Sequence, residues 1–306
     1  MNKQATGIGF IAIFLWSSLA LFTSQIGSVP PMLTIAITFS MASVFLTIVY
    51  FVRGELVQSW KDTPLKSMLL SGASYFFYHF FYFYALQHSP TLLAGILAYS
   101  WPLLIIMCLS SRKLSTFNWS HFIGGIIALM GTGLMIHSST QMSTILDTTS
   151  NHNTSTSPTI LGYFSAFIAS LIWGSYSLAN RRHSSVPSSC VLWNCIVAAL
   201  FSVSFHLVLE PHVYNFSQDT WIAILGLGFG PIGVAFLCWD IGTKRGDLSL
   251  LGVLSYTAPA LSILWTALFG EQTIVNEQII AGVIVVIGVL IAFYRPTKRQ
   301  LRDDHS

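Results

Sequence analysis

The stretch SYFFYHFFYFYAL, residues 74–86, is aromatic almost throughout and holds a single histidine. At the helical repeat, Tyr75, Tyr78, His79 and Tyr82 share an arc of roughly 100°, while Phe77, Phe80, Phe81 and Tyr84 point the other way. Hydroxyls and an imidazole gathered on one face can hydrogen-bond a solute, stack against it and, at the imidazole, carry a proton. A neutral histidine and tyrosines that only tie helices together remain the alternative reading.

Two further stretches share a pattern: AYSWPLL at 98–104 and SYTAPAL at 255–261, each with a tyrosine three residues before a proline. Proline removes a backbone donor and clashes with the carbonyl four residues earlier, so each stretch predicts a bend. Matched bends can line a cavity. The binding candidates are therefore Tyr78, His79, Tyr82, Tyr99, Trp101, Pro102, Tyr256 and Pro259, with Trp239 as the counterpart of Tyr82 in the internal repeat described below. GLGFGPIG at 226–233 lacks the lysine and the strand-turn-helix setting of a phosphate loop and reads instead as a hinge. Asp240 reads as an interfacial carboxylate rather than as part of a buried ion site.

Enzyme signatures are missing. No HExxH pair, intramembrane aspartate pair or GxSxG elbow occurs, and Cys108, Cys190, Cys195 and Cys238 show no CxxC spacing. No cofactor, metal site, disulfide or nucleic-acid partner is indicated.

The elements that must position these residues are set by composition. Apolar residues make up 53% of the chain and charged residues only 8%, far from the roughly 25% charged content of soluble domains. Stretches near the length of about 20 residues that crosses a bilayer recur at 7–23, 32–52, 66–87, 91–110, 119–137, 160–180, 189–209, 220–240, 248–269 and 275–294. With these ten spans all 14 Lys and Arg residues fall on one side, and the opposite side carries only acids, among them Glu210, Asp219 and Glu277. Because Lys and Arg are retained in the cytoplasm, both termini are expected there. The first span follows Lys3 but precedes no small-residue cleavage site, and it recurs later in the chain, so it reads as a retained helix.

That recurrence has a single displacement of 157 residues. Trp16 falls on Trp173, Val29-Pro30 on Val186-Pro187, Gly95 on Gly252, Tyr99 on Tyr256, Pro102 on Pro259 and Gly131 on Gly288. Five spans per half is an odd number, so the second half enters the membrane from the opposite side, as in many secondary transporters. The expected fold is an all-α integral membrane protein of ten transmembrane helices in two inverted five-helix repeats. The expected divisions are a first repeat at 1–137, an outer Ser/Thr/Asn-rich linker at 138–158, a second repeat at 159–294 and a basic cytoplasmic tail at 295–306.

This pattern resembles the drug/metabolite transporter superfamily, with its paired EamA domains. LWSS at 15–18, AYSWP at 98–102 and YFSAFIASLIWGSY at 163–176 resemble, more narrowly, the bacterial aromatic amino acid exporters. The resemblance implies a ten-helix inner-membrane protein with a cavity lined by helices 3, 4, 8 and 9. The function expected is export of small organic solutes, aromatic or other neutral amino acids first, by alternating access. Export of drugs or quaternary cations is the alternative, and a passive channel or a membrane-embedded enzyme are more remote ones. The partners expected are a small-molecule substrate and the lipid bilayer, and a monomer is compatible with the pattern.

The charge distribution makes the topology testable. A cytoplasmic reporter fused after Arg302 should be active, and one inserted near Thr149 should behave as exported; the reverse pattern would end the ten-span reading.

Overall fold

A computed structural model describes residues 2–27, 29–89, 91–111, 119–147, 160–212, 216–269 and 274–293. Among these there are helices, turns and short connections but no strand. In chain order the helices are α1 (Lys3–Ser17), α2 (Leu19–Thr23), α3 (Pro31–Val52), α4 (Leu56–Asp62), α5 (Leu65–His88), α6 (Thr91–Ala98), α7 (Trp101–Ser111) and α8 (Trp119–Asp147). Then follow α9 (Ile160–Arg182), α10 (Cys190–Leu209), α11 (Gln218–Leu227), a π-helical turn (Gly228–Val234), α12 (Ala235–Arg245), α13 (Leu248–Ser255), α14 (Thr257–Phe269) and α15 (Asn276–Phe293).

Among the described residues, eight helices or continuous helical runs are long and apolar enough to cross a bilayer, and nine if α13 and α14, bent by 44°, count as one. The remaining expected span, α5, is long enough at 24 residues. Its tyrosines, serines and histidines lower its mean hydropathy. α8 runs on to Asp147, through the first half of the segment expected to be a linker. Nothing between Ser138 and Asp147 breaks a helix, since that stretch has neither Gly nor Pro. The rest of the expected linker and the basic tail lie outside the described residues.

The breaks in the helices follow from their sequences. α6 gives way to α7 after Ala98, and α13 to α14 after Ser255. These are the residues four positions before Pro102 and Pro259, whose carbonyls the proline rings exclude. Tyr99 and Tyr256 occupy the two breaks, and the Ser100 and Tyr256 amides each donate three residues back, to Leu97 and Val253. Where α1 meets α2, the Ser17 and Ser18 hydroxyls donate to the carbonyls of Phe14 and Leu15 at 2.6 and 2.7 Å, loosening the turn. Pro231 stands inside the π turn, and the expected hinge is therefore a widened turn. The proline has no N–H to donate to Leu227, so one rung of the α-helical ladder is missing there.

Tight pairs of helices then assemble around one core. α8 lies along α15, α5 along α9, α3 along α10 and α1 along α12. Small residues permit the closest of these approaches. A Cβ built on Gly288 would stand 2.6 Å from the Ala128 nitrogen and the Gly124 oxygen, and one on Gly242 would stand 2.6 Å from the Gly9 Cα. At the start of α3, Glu210 from the end of α10 accepts from the Met32 and Leu33 amides at 2.8 and 3.0 Å, capping that helix from a neighbouring one.

The Gly288 contact generates a stability prediction. Gly288→Ala should lower the melting point of the purified protein, at a cost of about 1–3 kcal/mol for overpacking. Gly7→Ala, with nothing within 4 Å of the added carbon, should not; equal melting points for the two variants would contradict the packing described.

Candidate functional site

The core holds a cavity of about 90 Å³ walled by Trp16, Leu19, Tyr78, His79, Tyr99, Trp101, Trp173, Ile232, Phe236, Ser255 and Ala258. Each wall residue is placed by a feature of the fold. α5 presents Tyr78 and His79; the α6–α7 break presents Tyr99 and Trp101; the end of α13 and start of α14 present Ser255 and Ala258. Ile232 comes from the π turn and Phe236 from the first turn of α12.

Four residues expected from the sequence, Tyr78, His79, Tyr99 and Trp101, stand in this wall together. Five do not line it. Tyr82 stacks on Tyr78, with centroids 6.0 Å apart and planes 4° from parallel. Trp239 is fully buried beneath the wall, its centroid 5.1 Å from Trp16 and 5.5 Å from Trp101. Pro102 packs against the backbone of Gly252. Tyr256 is fully buried on the side of α8, its carbonyl accepting from the Thr132 hydroxyl at 3.4 Å. Pro259 is half-buried in α14.

Sequence reasoning did not assign Trp16, Trp173 and Phe236 to the wall. Trp16 and Trp173 were visible as a matched pair, and that match was the available signal. Their rings meet edge to face at 5.5 Å, and Phe236 meets both, at 6.0 and 5.5 Å. The Trp16 indole N–H donates to the Pro231 carbonyl at 3.0 Å, tying the wall to the π turn.

The polar face of α5 divides into two parts. Tyr75 is fully buried, its hydroxyl 2.8 Å from that of Tyr176 on α9, so here the helix-tying reading holds. His79 Nδ1–H donates to the Tyr75 carbonyl one turn back at 2.7 Å. The imidazole edge meets Phe39 at 5.5 Å, and the ring reaches the cavity. On the other face, Phe76, Phe77 and Phe80 pack against Phe201 or Phe205 of α10. Among the described residues, no carboxylate, lysine or arginine stands in the cavity wall. The site can bind an uncharged or zwitterionic solute through ring faces, hydroxyls and an imidazole.

One expectation is corrected outright. Asp240 is fully buried and Lys244 nearly so, with Lys244 Nζ 2.9 Å from Asp240 Oδ2. Spaced i and i+4 on α12, the two offset each other's charge away from water, although Asp240 Oδ2 takes no hydrogen bond of good geometry. Among the described residues no group of three or more His, Cys, Asp or Glu side chains could hold a metal ion.

The Tyr75–Tyr176 bond predicts a double-mutant result. Tyr75→Phe should destabilise the protein by about 1–3 kcal/mol, because it strands a buried hydroxyl, and adding Tyr176→Phe should recover most of the loss. Two melting points that merely add would place the hydroxyls elsewhere.

Comparison with known proteins complements this geometry. Residues 5–137 and again 160–294 match the EamA-like transporter family. The chain is 38% identical over 295 residues to the aromatic amino acid exporter YddG of Ancylobacter novellus, covering 95% of this chain and 97% of that one. It is 26% identical over 304 residues to the aromatic amino acid exporter YddG of Escherichia coli K12, covering 97% and 99%. A solved crystal structure, 36% identical, superposes with a TM-score of 0.84 over 96% of this chain and 98% of that one.

Proposed function

From the membership of this chain in the EamA-like transporter family, we propose that it exports aromatic amino acids, as a secondary carrier working by alternating access through the ring-walled cavity. The observation that carries this reading is the wall itself: Tyr78, Tyr99, Trp101, Trp16, Trp173 and Phe236 surround one space that holds no fixed charge. A zwitterionic amino acid is neutral overall and needs no counter-ion there. Its ring gains about 0.5–1.5 kcal/mol from each good aromatic contact, and several such contacts hold a solute while still allowing its release. His79, Ser255 and the tyrosine hydroxyls remain for its ammonium and carboxylate groups.

The finer assignments belong to the same proposal. Tyr78, His79, Tyr99 and Trp101 bind the solute; Tyr82, Pro102, Trp239, Tyr256 and Pro259 stand behind them and fix their positions. The chain forms ten spans in two inverted halves, at 1–137 and 159–294, joined by an outer linker. It lies in the inner membrane with both termini cytoplasmic. Supporting this reading are the matched breaks at Tyr99 and Tyr256, the twofold match to one family and the segregation of Lys and Arg.

Proteoliposomes provide the test. Tryptophan, phenylalanine and tyrosine should show saturable flux and counterflow, above purines, aliphatic amino acids and quaternary ammonium ions. Non-saturating flux would make the protein a channel, and preference for the quaternary ions would make it a cation exporter. Tyr78→Ala should weaken binding of the preferred solute by the roughly 0.5–1.5 kcal/mol of one aromatic contact, whereas Phe81→Ala, on the other face of α5, should leave it unchanged.

A further inference from the structure

We infer that the buried Asp240–Lys244 pair is the core of a gate that closes the cavity at its α12 end. The inference rests on the carrier reading, since a gate has meaning only where a solute passes. Its position comes first. Trp239 lies directly beneath the cavity wall, with its indole N–H donating to Ser177 Oγ at 3.2 Å. The next residue of the helix is Asp240, and Lys244 follows one turn further on. A route from the cavity along α12 toward this end of the molecule passes the indole and then the pair.

Three helices close around this stretch of α12. From α10, the Cys190 thiol stands 3.9 Å from Asp240 Oδ1 and accepts from Lys244 Nζ at 3.5 Å. From α9, Asn180 donates to Thr243 Oγ1 at 2.7 Å, and Arg181 donates to the Lys244 and Gly246 carbonyls at 2.8 and 3.2 Å. From α1, Thr6 Oγ1 accepts from the Asp247 amide at 2.9 Å, and Gly9 touches Gly242 through backbone alone. α12 is held here by separate helices through polar contacts, whereas around the cavity it is held by ring packing.

The chemistry of the layer suits opening. An apolar plug resists water, because parting it exposes apolar surface. A pair of opposite charges is held together while dry and is solvated once water arrives, so the two arrangements can lie close in free energy. Taking away one partner disturbs that balance, because the closed layer then buries an uncompensated charge.

Cys190 is itself the reporter, being almost inaccessible in the closed layer. Alkylation by N-ethylmaleimide would be followed peptide by peptide in the reconstituted full-length protein, with Leu19→Cys as a second reporter on the opposite side of Trp16. In the parent, Cys190 should react slowly. Asp240→Asn should speed Cys190 by about tenfold or more, as expected for a population shift of that size, and at the same time slow position 19, because opening one end closes the other. The exchanged pair Asp240→Lys/Lys244→Asp should return both rates toward the parent. Should Asp240→Asn fail to fold, the neutral double variant Asp240→Asn/Lys244→Gln is read by the same two rates. Unchanged rates, or rates that rise together through a loosened fold, would overturn the gate. The assay needs no solute, so its failure would be distinct from a failure of aromatic amino acid flux.

Discussion

The hydrogen bond from the Trp16 indole to the Pro231 carbonyl is the constraint on which the rest of the site depends. A proline within a membrane helix disrupts the pairing of its backbone, and in hydrocarbon no water is present to take over. The turn at Pro231 is widened, and α1 lies close enough there for the Trp16 indole to donate to the Pro231 carbonyl. Once Trp16 is fixed, its ring meets Trp173, Phe236 and Trp239. Trp16, Trp173 and Phe236 form one side of the cavity, and Trp239 backs them from beneath. One bond between α1 and the widened turn thus also sets the shape of the site.

Much of this was legible in the sequence because it follows from local rules. A proline excludes the carbonyl four residues back wherever it stands, so the breaks at Tyr99 and Tyr256 could be placed to within a few residues. The helical repeat put Tyr78 and His79 on one face of α5, and both reach the cavity. It put Tyr75 there too, but the repeat says nothing of which helix lies opposite. α9 supplies Tyr176 at that depth, and the hydroxyl is taken. Trp16 and Trp173 were read as markers of duplication, since only the folded chain brings the two rings into contact. Asp240 misled for a related reason. A carboxylate near the end of a helix reads as interfacial until the fold is seen to bury it against Lys244 and Cys190.

The polar groups fall into distinct roles. Several of those in the helices are committed to the protein itself: Tyr75 to Tyr176, Trp239 to Ser177, Asn180 to Thr243, Glu210 to the start of α3. These bonds hold helices in register where apolar contact with lipid-like neighbours offers little discrimination. The cavity is furnished mainly with ring faces, which attract broadly and weakly. Rigid framing around a permissive space fits a site that must accept a solute, hold it briefly and let it go.

The widened turn has one further consequence. In the repeat register Pro231 falls on Ser74, in the unbroken helix α5. Trp173, the counterpart of Trp16, therefore has no proline carbonyl at the corresponding place. Two halves related by inversion and otherwise identical would give a degenerate machine, equally at rest whichever way it faced. A defect present in only one half lifts that degeneracy, as a weight on one arm tips a balance. On the two-half reading, the preferred orientation of the empty carrier is written into the sequence at the place where its symmetry fails.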